Sequence, residues 1–238
     1  MTRGILIAGN ESGLSQAISA EAAKRVEHFA AALISSRLAV GVSAGVTGGS
    51  PGASKQPAIP EEKPKNSDMS LQWNPGSPIS ARTLVLAAEN RLGQINDAIL
   101  VCAPPAIRKP AAELSLADIE TMVNDHIKGW FYLARELSAV FRSRASGSLA
   151  LVFSEANSAG GKDDNADMLG PPALASFQAF TRSLLASSYT EPFITLGFSC
   201  TETGAETGFA SYVFKVLDES NKRNSGKLLK YGKLGFLK

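Results

Sequence analysis

Short apolar runs alternate along this chain with longer stretches in which apolar residues recur every three or four positions. The runs are GILIAG (4–9), RLAVGVSAG (37–45), DAILVCA (97–103), SLALVFS (148–154) and FITLGFS (193–199). They are continuous rather than alternating, which is the pattern of strands covered on both faces. Between the first two, Ile18, Ala22, Val26, Phe29 and Leu33 keep helical spacing and predict one helix over 14–34. Ser77 followed by Pro78 predicts an N-cap with proline in the first turn, and Gly93 predicts the end of that helix. Ser115-Leu116-Ala117-Asp118 has the form of a capping box. It opens a long predicted helix carrying Ile119, Val123, Ile127, Trp130, Ala134 and Leu137. A further helix is marked by Leu174, Phe177, Thr181, Leu184 and Leu185. Strands alternating with helices predict an α/β fold: one Rossmann-like domain over 1–238, a doubly wound parallel sheet in three layers, α/β/α.

Residues 45–70, GVTGGSPGASKQPAIPEEKPKNSDMS, break the pattern. This stretch is rich in Gly, Pro, Ser and charge and has little to bury, so it predicts a flexible insertion within the domain. The formal net charge of +2 gives no global attraction to nucleic acid or to a membrane surface. Five lysines (Lys222, Lys227, Lys230, Lys233, Lys238) crowd the C-terminal end and read as a solvated tail. Cys102 and Cys200 both fall in apolar runs without metal-ligand spacing, as small buried hydrophobes of a reducing compartment. The opening run breaks at Gly9-Asn10 before a signal segment could form, and no apolar run reaches membrane-span length. A cytoplasmic protein is the expectation.

Chemistry is sought first at the first strand-to-helix turn, ILIAGNESGLSQAI, because sheets of this type bind ligands beyond the carboxyl ends of their strands. Glycines there let backbone N–H groups approach a phosphate at a helix N-terminus. The turn reads Ala8-Gly9-Asn10-Glu11-Ser12-Gly13-Leu14-Ser15. It resembles the Thr-Gly-x-x-x-Gly-x-Gly motif of the short-chain dehydrogenase/reductase family, with Ser15 in place of the third glycine. The resemblance extends along most of the chain. ENRLGQINDAILVCAPPA is similar to the family's Gly-x-Ile-Asp, strand and Asn-Asn-Ala-Gly. HIKGWFYLA is similar to Asn-x-x-Gly-x-Phe, with His126 at the Asn. GSLALVFSEANSAGG is similar to the strand that ends in the catalytic serine, with Ser154 at that serine. NSGKLLKYG is similar to the closing Thr-Gly segment and last strand.

The resemblance implies an NAD(P) site built from Gly9, Asn10, Ser12, Gly13, Leu14, Asn74, Cys102 and Ala103. Asn74 stands where the family places an acidic adenine contact, and Pro104-Pro105 removes backbone donors beside the cofactor path. It also implies a catalytic Tyr-x-x-x-Lys, and here the chain departs: Gly170 stands at the Tyr and Leu174 at the Lys. Hydride addition to a carbonyl leaves an alkoxide that needs a proton donor, which neither residue supplies. Ser154 and His126 remain as a candidate catalytic pair, His126 on the strength of a pKa that is ordinarily near neutrality, with Lys162 as an alternative partner. The leading expectation is therefore a family-like binding or scaffold protein with an eroded reductase site. A divergent NAD(P)-dependent oxidoreductase is the alternative.

Gly41-Val42-Ser43-Ala44-Gly45 matches the Gly-x-Ser-x-Gly elbow of hydrolases. That elbow needs a helix directly after the serine and a late histidine. The chain offers a Gly/Pro-rich stretch there, and only His28 and His126. Trp130, Phe131, Leu137, Phe141, Phe177, Phe180 and Leu184 give the two central helices more apolar surface than one core face needs. In the resembled family these helices pair across a two-fold axis, so a homodimer or homotetramer is expected.

Overall fold

The structure, a computed structural model, describes residues 3–26, 29–34, 68–155 and 167–232. Seven strands form one sheet: β1 (Ile5–Asn10), β2 (Phe29–Ile34), β3 (Asp68–Ser70), β4 (Asp97–Cys102), β5 (Ser148–Ser154), β6 (Ile194–Cys200) and β7 (Lys227–Tyr231). All are parallel, in the order β3-β2-β1-β4-β5-β6-β7. Six α-helices cover it: α1 (Gly13–Arg25), α2 (Pro78–Leu92), α3 (Leu116–Val123), α4 (Gly129–Arg144), α5 (Gly170–Ser187) and α6 (Glu206–Asp218). The order 3-2-1-4-5-6-7 is the doubly wound arrangement expected from the strand–helix alternation.

Successive strand residues point to opposite faces, and both faces are buried. Leu6, Ala8, Leu100, Leu149, Leu151 and Phe153 pack with α2, α4 and α5. Ile5, Ile7, Ile99, Val101, Val152 and Phe198 pack with α1 and α6. At the amino ends of the strands, Arg3 reaches Asp97 at 2.5 Å and also Asp218, while Arg25 binds Glu21 at 3.0 Å and the same Asp218. These pairs tie α1 and α6 to the lower edge of β1 and β4.

Two expectations are corrected. The helix predicted over 14–34 stops at Arg25, where Val26 turns extended at φ −132°, and Phe29–Ile34 is β2. FAAALI is a short apolar run that fits either periodicity. In the fold it feeds both cores at once, Ala30 and Ala32 on one face, Phe29 and Ala31 on the other. The second predicted strand, 37–45, with its Gly-x-Ser-x-Gly match, lies outside the described residues. So does most of the predicted insertion 45–70; its last three residues form the edge strand β3.

The helix predicted to start at Ser115 is interrupted. The capping box is present, Ser115 Oγ accepting from Asp118 N at 3.1 Å and Asp118 Oδ2 from Ser115 N at 3.0 Å. Lys109 donates to the same carboxylate at 2.7 Å, and these bonds hold the Asp118 pKa down to about 2. A π-helical turn, Asn124–Lys128, then separates α3 from α4. A π turn takes up one extra residue, which rotates everything upstream of it. Asp118 and Met122 therefore face inward, and Ile119, expected inside, lies outward. The apolar surplus expected on the central helices is also smaller: Trp130, Leu137, Phe141 and Phe177 are core residues, and of the seven only Phe131 is largely exposed.

Gly147, just before β5, has φ 128°, and a Cβ there would fall 2.3 Å from the Phe141 ring. Gly147→Ala is expected to lose about 2 kcal/mol, from a forbidden backbone region and an overpacked ring together. Urea unfolding, with the midpoint shifted and the m-value unchanged, checks this.

Candidate functional site at the switch point

The strand order reverses between β1 and β4, so their carboxyl ends frame the crevice where this architecture binds ligands. β1 ends at Asn10, and Glu11 and Ser12 lead into α1. Ser12 is the N-cap: its Oγ accepts from Ser15 N at 3.2 Å and lies 3.1 Å from Ser15 Oγ. Ser15 is fully buried, and a Cβ on Gly9 would sit 2.8 Å from its hydroxyl. Gly9 is thus needed for packing against Ser15 and the Val101 carbonyl. A Cβ on Gly13 would meet nothing within 4 Å, so open space lies beside that residue.

Asn10 is 5% exposed, and its Nδ2 donates to the carbonyl of Ala103, joining the end of β1 to the residue after β4. Its Oδ1 has no hydrogen-bond partner among the described residues. Cys102 and Leu14 point into the two cores and offer a ligand no side chain. Burial pushes the Cys102 thiol well above its ordinary pKa, the Trp130 indole opposing weakly, so it is not a nucleophile at neutral pH. Asn74 stands apart from this turn, exposed on the loop before α2. Its Oδ1 accepts from Gly76 N at 3.1 Å and its N–H donates to Ser80 Oγ at 2.7 Å, so the side chain shapes a turn.

The head of α5 carries the positions where the resemblance puts proton donor and cation. Gly170 is its first residue. Asp167 Oδ1 accepts from Leu169 N at 3.1 Å and Gly170 N at 2.9 Å, and a Cβ on Gly170 would fall 2.1 Å from Asp167 Oδ2. The carboxylate fills the space in which a side chain at 170 would begin. Sequence reasoning missed Asp167; the signal was an acidic residue three positions before Gly170-Pro171, a helix-start pattern. Leu174, one turn on, is 7% exposed and belongs to the same buried apolar cluster as Cys102, Trp130, Phe153 and Phe177. Trp130 meets Phe177 edge-on at 5.5 Å, and Phe153 meets it at 6.1 Å.

His126 lies in the π turn, 3% exposed, and makes no hydrogen bond among the described residues; its Nδ1 is buried and unpaired. Burial drives its pKa down to about 4. The expectation of a titrating acid near neutrality is therefore corrected: at pH 7 this imidazole carries no spare proton to donate as imidazolium. Ser154 ends β5 and pairs in register with Cys200 on β6. No hydrogen bond joins it to His126. Lys162 lies outside the described residues. Among the described residues no group of three metal-ligating side chains occurs, and no helix is long and apolar enough to cross a membrane.

No protein-family model matches this sequence, and no curated protein does. Solved structures do match in shape. A short-chain dehydrogenase from Bacillus anthracis superposes with a TM-score of 0.69 at 14% identity, over 96% of this chain and 94% of that one. An NADH-dependent reductase complexed with NAD gives 0.67 at 14% identity, over 96% and 94%. Serine dehydrogenase from Escherichia coli gives 0.66 at 14% identity, over 96% of each. The chain has the short-chain dehydrogenase/reductase fold.

Leu174→Lys, which restores the residue type the resemblance implies, is expected to cost about 3 kcal/mol or more. It would bury an ammonium among aromatic rings without a partner. Leu174→Met should cost under about 1.5 kcal/mol at the same site. Chemical denaturation of the two variants beside the parent checks the contrast.

Proposed function

We propose that this protein uses the short-chain dehydrogenase/reductase fold without reductase chemistry, as a binding or scaffold subunit. The observation that carries this is the head of α5, where a carboxylate fills the space beside Gly170 and an apolar cluster surrounds Leu174. An alkoxide formed by hydride transfer would meet neither a hydroxyl donor at 170 nor a cation at 174. His126 is neutral and enclosed, and Cys102 is protonated and enclosed. A cytoplasmic location accords with two unpaired, buried cysteines.

NAD(P), where the fold binds it, supplies the hydride. The nicotinamide end of the crevice does not fit that group, because Leu174 offers no charge to hold a ribose hydroxyl. The phosphate end fits in part: α1 presents its N-terminus, Gly13 has open space beside it, and Gly9 is retained. Glu11 in the same turn sets a carboxylate near that position. A weak nucleotide or small-molecule site without turnover is the reading these features support. Titration calorimetry with NADH and NADPH, followed by absorbance at the dihydronicotinamide band with a panel of aldehydes and ketones, tests it. Weak or absent binding and no consumption of the reduced cofactor are expected. Cofactor oxidation that disappears in Ser154→Ala would establish the divergent oxidoreductase instead.

Pairing of two copies through α4 and α5 is proposed on narrower ground than the sequence implied. Phe131 is 48% exposed and stacks on Phe180 at 4.3 Å, beside the exposed Ala175 and Ala179. Sedimentation velocity at micromolar concentration should show a dimer or tetramer, and Phe131→Glu should weaken it at least tenfold. A monomeric parent protein would overturn the pairing.

A further inference from the structure

We infer that the π turn at 124–128 is an acid-sensitive hinge, opened by protonation of His126 and coupled to the two tryptophans that flank it. The geometry comes first. His126 is enclosed where α3, α4 and α5 meet, and its imidazole makes no hydrogen bond among the described residues. The turn is clamped from the other side by the loop before α2: a Cβ on Gly129 would fall 2.6 Å from Pro75, and one on Gly76 would fall 3.2 Å from Asn124. One helical turn beyond His126 stands Trp130, whose buried indole N–H faces the Cys102 thiol, and Trp73 packs against it at 6.3 Å. Trp73 has a buried indole N–H that is unpaired among the described residues. Polar groups without partners gather at this junction, so the closed state holds them at a cost that opening would relieve.

Among the described residues no charged group forms an ion pair or hydrogen bond with His126. On the turn itself stand Asp125 and Lys128, the latter donating to Asn124 Oδ1 at 3.1 Å. α3 contributes Asp118, held by Lys109 and Ser115, and Glu120. α4 contributes Arg135 and Glu136, paired with each other at 3.5 Å. α5 has no charged residue from Gly170 to Thr181, and Asp167 ahead of it is bonded to its own helix N-terminus. The loop 71–77 carries no charge; the segment between β4 and α3 brings Arg108, Lys109, which binds Asp118, and Glu113, and Glu155 follows β5. None of these forms an ion pair with His126. An imidazolium in the closed position would have a buried charge and no acceptor.

Burial holds the closed-state pKa near 4, against an ordinary value of 6.5. The closed form is thus fully favoured above pH 6.5 and loses ground as pH falls toward 4. The ratio of closed to open falls by up to about tenfold per pH unit in the middle of that window, or roughly 40-fold between pH 6.5 and 4.5. The flanking helices are anchored, α3 by its capping box and α4 by the aromatic packing of Trp130 and Phe177, so the turn between them is the part that gives.

Trp73 and Trp130 are the chain's only tryptophans, and His28 and His126 its only histidines. Intrinsic tryptophan emission of the full chain, read from pH 8 to pH 4 with far-UV circular dichroism alongside, tests the hinge. Expected is a reversible change in emission between pH 6.5 and 4 with the far-UV signal preserved, retained in His28→Gln and absent in His126→Gln. Should His126→Gln fail to fold, His126→Asn serves in its place. The inference is overturned by an unchanged emission profile, by the same transition in the His126 variant, or by simultaneous loss of the far-UV signal.

Discussion

The edge-on packing of Trp130 against Phe177, with Phe153 meeting Phe177 from the sheet, is the contact on which this site depends. It joins α4, α5 and the end of β5. An apolar cluster at that junction and a cation at position 174 exclude each other. A buried ammonium needs an acceptor and an opposite charge, and the cluster that holds Leu174, with Cys102, Trp130, Phe153 and Phe177, is apolar. The leucine at 174 belongs to the core, and a charged side chain there would have to displace apolar packing.

Polar side chains satisfied within the protein also mark the other end of the crevice. Ser12 and Ser15 satisfy each other and the start of α1, Ser15 fills the space beside Gly9, and Asn10 binds the Ala103 carbonyl across the point where strand order reverses. Each of these side chains uses a group that a bound ligand would otherwise engage. Asp167 does so at α5, taking the N–H groups of Leu169 and Gly170. The carboxyl edge of the sheet is held together by the protein's own polar side chains.

Much of this was legible from residue order alone. Strand–helix alternation gave the sheet, Ser77-Pro78 and Gly93 bounded α2, and Ser115 with Asp118 marked the start of α3, because caps and turns are local chemistry. The failures have physical causes. FAAALI satisfies helical and extended periods equally, and only the demand for burial on both faces decides between them. The π turn is invisible to a fixed 3.6-residue period, so the inward face of α3 came out one residue off, and Ile119 was placed where Asp118 and Met122 belong. Asp167 was overlooked because its importance lies in space, in the distance to a side chain that Gly170 lacks.

That one-residue shift also explains why a histidine is buried at all. The extra residue of the π turn rotates α3 relative to α4, and within the turn it carries His126 inward next to α5. An asparagine at this position could offer both a donor and an acceptor without changing charge. An imidazole in the same enclosure is held neutral by burial, and below its lowered pKa it would carry a charge. The polar group at this junction of three helices is therefore one that titrates rather than one of fixed charge.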